Sequence, residues 1–223
     1  MFNTGFMGKS AETRSRISEV ALASFRERGY DATTIRLIAT EAGVSVGNAY
    51  YYFPTKNHLV QELYRRVQDD HRAAAGAALD GVTDLSSRLE IALHTGLDQL
   101  APYHQTAPGF LAAAISPDSP VNPFGDEATE ARDAAVATFE LVVRDARTVM
   151  PAELRARLPE LLWLGYMALA LHFVYDRSPG QEKSRRLATR ASRLLATLLP
   201  LTRLPFARKP LLELLDLIAE VRS

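Results

Sequence analysis

The side chains best suited to chemistry lie in one short stretch, GVSVGNAYYYFPTK, which runs from residue 43 to residue 56. Tyrosine hydroxyls can donate to phosphate oxygens while their rings pack on sugars, and an asparagine amide can pair with the edge of an adenine. The lysine that closes the stretch can neutralise a phosphate. These residue types together predict a surface that contacts nucleic acid.

Other kinds of functional site find little support in the sequence. The chain has no cysteine, which excludes disulfides, thiolate zinc sites and cysteine nucleophiles. Its five histidines are scattered, and it has no His-Glu-x-x-His, phosphate-binding loop or Gly-x-Ser-x-Gly motif. We therefore expect no catalytic residues, no metal site, no cofactor and no enzymatic activity.

The overall composition is that of a globular protein. The 223 residues carry no formal net charge and are 47% hydrophobic, and neutrality of the whole chain leaves room for a local DNA-binding patch. Residues 161–174 form the most apolar run, but a membrane-spanning helix needs about 20 such residues, so a buried helix is expected. The start of the chain lacks the pattern of a signal peptide, and we expect a cytoplasmic protein without a membrane partner.

Apolar residues recur with helical spacing along almost the whole chain, and no convincing strand pattern is found, so the fold is predicted to be all-α. Gly29 is expected to end the first helix and Gly43 the second. Ser45 is expected to cap a short third helix that stops before Pro54. The helical spacing is carried by Ile17, Val20, Ala21 and Phe25 in the first helix, and by Ile35, Ile38, Ala39 and Ala42 in the second.

The turn Ala42-Gly43-Val44-Ser45 joins two short helices, which is the plan of a helix-turn-helix. The second of these helices would lie in the DNA major groove with its first residues at base edges. Ala49 and Phe53 are one helical turn apart and should point into the small core. That orientation turns two of the three tyrosines toward the groove and leaves the third, Tyr52, on the flank.

The run GYDATTIRLIATEAGVSVGNAYYYFPTKNHLV resembles the DNA-binding domain of the TetR family of transcriptional regulators, over roughly residues 10 to 70. The shared features are a threonine-rich start to the second helix, Ala-Gly-Val-Ser at the turn, aromatic residues in the third helix and a lysine just after it. The sequence departs from many members at Ala49 and Tyr52, where a leucine and a histidine are common. The resemblance implies a three-helix DNA-binding domain followed by a larger helical domain for ligand binding and dimerisation.

The candidate DNA contacts follow from the helix-turn-helix and from this resemblance. Arg36 could read a guanine or remain a surface charge, and Lys56 resembles the phosphate-binding lysine of the family. Thr33 or Thr34 could cap the second helix and hold a phosphate, and Tyr51 is the favoured tyrosine. The full set of candidates is Thr33, Thr34, Arg36, Ser45, Val46, Gly47, Asn48, Tyr50, Tyr51, Tyr52 and Lys56.

The rest of the chain is predicted to form further helices. They cover residues 84–101, 103–115, 126–150, 159–177, 181–199 and 211–221, and the loop at 116–126 could act as a lid. The predicted division is a flexible N-terminal tail at 1–9, a helix-turn-helix domain at 10–56, a connecting helix at 57–80, a ligand-binding and dimerisation domain at 81–204 and an accessory C-terminal helix at 205–223.

The helix at 159–177 is apolar on all sides and must be covered all round. One side can meet its own domain and the other the same helix of a second subunit, with the leucine stripe of the helix at 181–199 completing the interface; the resemblance also places the dimer there. A two-fold dimer would read a pseudo-palindromic operator with half-sites about one helical turn, ~34 Å, or a multiple of it apart. The candidate interface residues are Leu162, Leu169, Phe173, Leu187, Ala191, Leu194, Leu195 and Leu198.

The helices between residues 84 and 176 could enclose an apolar cavity, with ordinary core packing as the alternative for each lining residue. In the family, ligand entry shifts the helix that joins the domains, so a small apolar or amphipathic effector is expected to release the protein from its operator. The prediction is a ligand-responsive repressor; an activator with the same head and an α-helical protein-interaction module are the alternatives. The candidate pocket residues are Tyr103, His104, Phe110, Phe139, Trp163, Tyr166, Met167 and His172.

Overall fold

The computed structural model describes residues 4–115, 119, 121–125, 128–204, 213 and 216. Within these ranges the regular secondary structure is helical, which confirms the predicted all-α fold. The predicted lid at 116–126 and the predicted tail helix at 211–221 lie mostly outside the described residues. The α-helices are α1 (Thr4–Ala32), α2 (Ile35–Glu41), α3 (Val46–Tyr52), α4 (Lys56–Ala78), α5 (Leu85–Leu100), α6 (Ala107–Ile115), α7 (Thr129–Arg144), α8 (Ala152–Tyr175) and α9 (Glu182–Leu198).

The chain divides into two compact units. The first contains Met1–Asp69 and Leu100–Arg132, and the second contains Asp70–Gln99 and Asp133–Ser223. The sequence assigned residues 100–132 to the larger domain, but they belong to the first unit. The reason is aromatic packing, because the Phe110 ring lies edge-on to the ring of Phe25, with the ring centres 5.2 Å apart.

The first unit is built around α1 to α3 and the start of α4. The apolar stripes that predicted these helices form its core, in which Ile17, Phe25 and Ile38 are fully buried. Because each helix contributes one apolar face, these helices together can enclose a core that none of them could form alone.

The predicted turn between α2 and α3 is present in atomic detail. Gly43 has a φ of 64°, its N–H donates to the carbonyl of Thr40, and the N–H of Val44 donates to the carbonyl of Ala39. This pair of bonds is a Schellman motif, which satisfies two carbonyls at the end of α2 and needs a left-handed residue at the position of Gly43. The hydroxyl of Ser45 then accepts from the N–H of Asn48 at 3.1 Å and begins α3.

Helix α1 begins earlier than the sequence suggested. Residues 1–9 were expected to form a flexible tail, whereas the structure has helical backbone from Thr4 onward. Extending an existing helix adds one hydrogen bond per residue, so a well-anchored α1 can propagate toward the N-terminus. At its other end Gly29 leaves helical geometry with a φ of 78°, which matches the predicted break.

Helix α8 also begins earlier than predicted. The sequence placed its start at Pro159, but the helix begins at Ala152 and contains Pro159 in its interior. Proline cannot donate to the carbonyl four residues earlier, and in a helix interior this normally costs about 3 kcal/mol. The preceding turns are rich in good helix formers and bury Leu154 and Leu158, which compensates for the missing bond.

Helix α8 is also, among the described helices, the one long and apolar enough to cross a membrane by length and composition. The core helix of a soluble bundle has the same composition, and α8 buries Leu162, Trp163, Tyr166, Leu169 and Phe173 in the second unit. The buried helix predicted from the sequence agrees with this packing.

In the second unit, the buried guanidinium of Arg88 on α5 joins the ends of two other helices. It donates to the carbonyls of Val142 at 2.8 Å and Leu141 at 2.6 Å in α7, and to the carbonyls of Leu79 and Val82 just after α4. Carbonyls at helix ends lack partners within their own helix, and an arginine fork can satisfy several at once. Arg88 therefore fixes the positions at which α4 and α7 end.

Asp176 holds together the turn that follows α8. Its carboxylate accepts from the backbone N–H and the hydroxyl of Ser178 and from the same two groups of Ser184. Burial opposes ionisation of Asp176, but these hydrogen bonds outweigh it and hold its pKa well below the ordinary value. The charged carboxylate thereby organises the turn into α9.

Candidate functional site

The predicted DNA contacts on α2 and α3 lie together in the first unit. Ala49 and Phe53 are buried as expected, so α3 presents its other side outward. Tyr51 is 76% exposed and is the most open of the three tyrosines. The predicted contacts that are exposed on these two helices and at their caps are Thr34, Arg36, Ser45, Val46, Gly47, Asn48, Tyr50 and Tyr51.

Tyr52 occupies a different environment from its neighbours. It is half-buried, and its hydroxyl is 3.0 Å from the hydroxyl of Ser10 on α1. Its ring also supports the ring of Tyr51 in an edge-to-face contact, with the centres 5.1 Å apart. Tyr52 therefore orients Tyr51 and joins α3 to α1. Its partner Ser10 was not among the residues predicted from the sequence.

The two adjacent threonines before α2 have separate roles. Thr34 caps the helix, because its hydroxyl accepts from the N–H of Leu37 at 3.2 Å. Thr33 is 0% exposed, and its hydroxyl bonds to the hydroxyl of Ser24 and donates to the carbonyl of Gly29. The structure thus corrects the assignment of Thr33 to the DNA surface, since a buried and internally bonded hydroxyl is not available to a phosphate.

Lys56 is held beside the end of α1. Its ammonium lies 3.9 Å from the centre of the Tyr30 ring and donates to the carbonyl of Asp31 at 3.5 Å. Burial lowers the pKa of Lys56, with the nearby charge of Asp31 acting in the opposite direction. A cation–π contact and one carbonyl leave an ammonium with further donors, so Lys56 is positioned rather than freely mobile.

An ion-pair network joins α1 to α4 in the first unit. The Glu62 carboxylate on α4 accepts from Arg14 of α1 at 2.9 Å and from Arg65 at 2.7 Å. Burial raises the pKa of Glu62, but hydrogen bonds and charges from Arg65 and Arg14 outweigh it and hold the pKa below its ordinary value. This network ties α1 to α4 and engages Arg14, a basic side chain near the predicted surface.

The residues predicted to line a ligand pocket do not form one group. Tyr103, His104 and Phe110 belong to the first unit, where Phe110 is part of the core. Their helical segment was assigned to the wrong unit because its apolar content does not reveal which core it enters. Phe139, Trp163, Tyr166, Met167 and His172 belong to the second unit, where His172 is exposed and bonds to Ser184 at 2.8 Å.

His71 of the second unit is a buried polar residue that was not among those predicted from the sequence. This side chain is buried, and its ring is 5.4 Å from the ring of Tyr166 and 6.4 Å from that of Phe139, centre to centre. The missed signal was its position, since His71 continues the apolar series Leu59, Leu63, Val67 of α4 at intervals of four residues. No described group of three or more His, Cys, Asp or Glu side chains could hold a metal ion.

The residues predicted at a dimer interface divide into two sets. Leu162, Leu169 and Phe173 are buried within their own unit and cannot also contact a partner, which corrects their assignment. The exposed apolar face of α8 carries Leu171 and Tyr175 instead. On α9 the predicted stripe is open, with Leu187, Leu194 and Leu198 exposed and Ala191 and Leu195 partly buried.

Two family models match the chain, and together they cover most of it. The model for bacterial regulatory proteins of the TetR family matches residues 17–63, which contain α2, α3 and the turn between them. The model for the C-terminal domain of tetracycline-repressor-like proteins matches residues 88–220.

Curated relatives align mainly over part of their length. The transcriptional repressor KstR2 of Mycobacterium tuberculosis H37Rv is 32% identical over 97 residues, which are 44% of this chain and 48% of that protein. KstR2 of Rhodococcus jostii RHA1 is 36% identical over 84 residues, 36% of this chain and 41% of that protein. The alignments thus span about half the length of the curated relatives or less.

A solved structure is similar in fold over most of the chain. A TetR transcriptional regulator from Nitrosomonas europaea superimposes with a TM-score of 0.62, covering 83% of this chain and 98% of the other at 18% identity. At that identity the likeness concerns the fold alone, but the family model of the C-terminal domain covers more than half of the chain. The chain belongs to the TetR family of bacterial regulatory proteins, a family of DNA-binding regulators and not of enzymes.

Proposed function

We propose that the protein is a transcriptional repressor that binds a pseudo-palindromic DNA operator as a homodimer and is released by a small apolar or amphipathic ligand. The observation that carries the proposal is the exposed surface of α3, where a capped N-terminus and two open tyrosines stand on a buried base of Ala49 and Phe53. The curated relatives named above as repressors support the direction of regulation.

In this proposal the N-terminal end of α3 enters the major groove. Val46 can contact a thymine methyl, Asn48 can pair with an adenine, and Gly47 has no side chain and so allows the backbone to approach closely. No described atom lies within 4 Å of the position a Cβ would take at Gly47, so the protein itself does not require glycine there. Arg36, exposed on α2, reads a guanine.

Phosphate contacts fix the orientation of this helix on the duplex. The hydroxyl of Thr34 accepts from its own helix and can still donate its hydrogen to a phosphate. Lys56 approaches the backbone from a fixed position over Tyr30. Tyr50 and Tyr51 pack on sugars and donate to phosphates, with Tyr51 held by Tyr52.

Selection of bound fragments from random DNA tests the proposal directly. The expected result is a two-fold symmetric site whose affinity falls with rising salt, because binding releases counterions from the phosphates. Arg36→Ala should relax specificity at one base pair by about 1–3 kcal/mol, whereas Lys56→Ala should weaken binding to all sequences alike. Arg72→Ala, which removes an exposed arginine of the second unit, is the control and should change neither.

Two results would contradict the proposed DNA surface. The first is an absence of salt-dependent binding to any DNA fragment, which would favour a protein partner for the same helix. The second is an equal loss on all sequences for the Arg36 and Lys56 variants, which would remove base reading from Arg36.

The proposed dimer uses the exposed apolar residues of α8 and α9. Leu194 is 60% exposed, and Leu187 and Leu198 lie on the same side of α9, one or two turns away. Leu171 and Tyr175 provide a comparable face on α8. Pairing these faces around a two-fold axis would remove the apolar surface from water, which is the main driving force for stable association.

Sedimentation velocity tests the dimer. Leu194→Glu should shift the protein to monomer, since it places a charge in an apolar contact without a partner. Arg193→Glu is the matched control, because Arg193 is exposed on the same helix but turned by about 100°. If both variants remain dimers, the interface lies elsewhere on the molecule.

We also propose that the ligand releases the protein from its operator. The protein is proposed to act in the cytoplasm. Adding an effector should lower operator affinity by a reciprocal coupling, so that operator DNA equally lowers effector affinity. A ligand that binds with measurable affinity and leaves operator binding unchanged would count against the regulatory part.

A further inference from the structure

Two buried polar side chains of the second unit have atoms without hydrogen-bond partners. His71 on α4 is 1% exposed and Tyr166 on α8 is 3% exposed. Among the described residues, neither Nδ1 of His71 nor the hydroxyl oxygen of Tyr166 has a hydrogen-bond partner. Burying a polar atom without a partner costs free energy, so such atoms in a native core call for a specific explanation.

The hydrogen-bonding needs of the two atoms are opposite. The His71 ring donates from Nε2 to the carbonyl of Ala92 at 2.8 Å, and burial lowers its pKa, which keeps it neutral. Its Nδ1 is therefore an acceptor that lacks a donor. Burial raises the pKa of Tyr166 far above its ordinary value, so its hydroxyl stays protonated and is a donor that lacks an acceptor.

The two side chains are brought together by small residues on α5. The carbonyl of Ala92 holds His71, and one turn later the ring of Tyr166 lies so close to Gly96 that an added Cβ would be 2.6 Å from Cε2 and 2.9 Å from the hydroxyl oxygen. The ring centres of His71 and Tyr166 are 5.4 Å apart, and Phe139 contacts both rings. The acceptor and the donor thus share one apolar environment next to the same helix.

We propose that His71 and Tyr166 bind the hydroxyl group of an uncharged, otherwise apolar ligand, which donates to Nδ1 of His71 and accepts from the Tyr166 hydroxyl. A ligand hydroxyl both donates and accepts, as water does, and so satisfies both atoms, whereas an ether or ketone only accepts and an ammonium only donates. A carboxylate would carry a buried charge and lose its hydration against aromatic rings. The inference rests on the proposed ligand response and names the chemistry of the effector.

Binding of a matched probe series to the full-length protein tests the inference without DNA. The probes are n-octanol, octyl methyl ether and octylammonium, and the signals are the heat of binding and the fluorescence of Trp163, the one tryptophan in the chain. Trp163 is buried on α8, one turn from Tyr166, and should report occupancy. Octanol should bind saturably and at least about tenfold more tightly than the ether or the ammonium.

Substitutions distinguish a ligand site from a structural role. Tyr166→Phe should weaken octanol binding about tenfold and leave octylammonium affinity unchanged, because an ammonium cannot accept from the Tyr166 hydroxyl. It should also leave the melting temperature of the free protein equal or higher, because it removes an unsatisfied donor. Tyr64→Phe, which changes a partly buried tyrosine of the first unit, is the control and should leave octanol affinity unchanged.

Three results of the binding experiments would overturn the inference. One is octanol binding no tighter than the ether, another is unchanged octanol affinity in Tyr166→Phe, and the third is the lack of saturable octanol binding. A lower melting temperature of Tyr166→Phe, with a bound water between His71 and Tyr166 that octanol does not displace, would make the pair a structural hydration site instead.

The test is separable from that of the proposed function. If the protein binds no operator but octanol binds as described, the ligand site stands and the repressor function fails. If it binds an operator but octanol binding fails, the chemistry assigned to the effector is wrong and the DNA surface is unaffected.

Discussion

Gly96 is the position at which one added methyl group should disturb the second unit most clearly. The Cβ of Gly96→Ala would lie 2.6 Å from Cε2 and 2.9 Å from Cζ of Tyr166, closer than the 3.0 Å below which real Cβ contacts essentially never occur. Tyr166 is buried among Phe139 and His71, so its ring cannot move away without displacing them. Overpacking of this kind costs about 2–3 kcal/mol at the upper end of its usual range.

A second glycine in the same unit supplies the reference. Alanine is favoured over glycine inside a helix by about 1 kcal/mol, which offsets part of the overpacking. Gly76→Ala on α4 gains the same propensity, and its Cβ would meet only Leu141 Cδ1, at 4.0 Å. Both variants gain the same helix propensity, so only the overpacking distinguishes them. The free energy of unfolding of the Gly96 variant should be about 2–3 kcal/mol lower than that of the Gly76 variant.

Thermal unfolding followed by circular dichroism measures this difference. For a chain of this size the melting temperature changes by about 2–4 °C per kcal/mol, so the Gly96 variant should melt roughly 4–12 °C below the Gly76 variant. Adding Tyr166→Leu to Gly96→Ala should recover part of the loss, because the smaller side chain makes room. Equal melting temperatures for the two glycine variants would refute the close packing of Tyr166 on α5.

Three further predictions concern other described side chains. Asp176→Asn should lower the free energy of unfolding by about 1–2 kcal/mol at neutral pH. Because the pKa of Asp176 is depressed in the folded protein, the wild type should lose this stabilisation as the pH falls below about 4. The melting temperatures of the two proteins should therefore converge in acid. Thr33→Val should lower the free energy of unfolding by about 1 kcal/mol in urea titrations while operator affinity stays the same, and a selective loss of affinity would restore Thr33 to the DNA surface. Ser45→Ala removes the cap of α3 and should cost about 1 kcal/mol in the same titrations, whereas unchanged stability would mean that the cap is replaced by water.

The first unit could be predicted closely because its signals are local. A glycine at the turn, a serine before α3 and apolar residues one turn apart each specify a backbone state within a few residues. Gly43, Ser45, Ala49 and Phe53 all take the positions expected from these rules. The sequence could not show that Thr34 caps α2 while Thr33 is buried, because either threonine can cap a helix and tertiary packing decides which one is buried.

The second unit was less predictable because the sequence of α8 does not show which of its faces is buried in its own unit. A helix that is apolar on all sides has no periodicity to show which side meets its own core, and so Leu162, Leu169 and Phe173 were assigned to the wrong face. Phe110 illustrates the same limit over a longer distance, because its partner Phe25 lies far away in sequence. Such contacts depend on how whole helices pack, which short-range patterns do not encode.

The guanidinium of Arg88 has a consequence for how the sequence can vary. All four of its hydrogen-bond acceptors are main-chain carbonyls, which every amino acid supplies. The side chains at positions 79, 82, 141 and 142 can therefore change without losing the bonds, provided that the helix ends stay in place. Position 88 has no such freedom, because a lysine has a single nitrogen and cannot reach carbonyls on both sides of the fork. The hydrogen bonds therefore restrict the residue at position 88 and not the residues at positions 79, 82, 141 and 142, of which Leu79 and Val142 are restricted instead by their burial in the core.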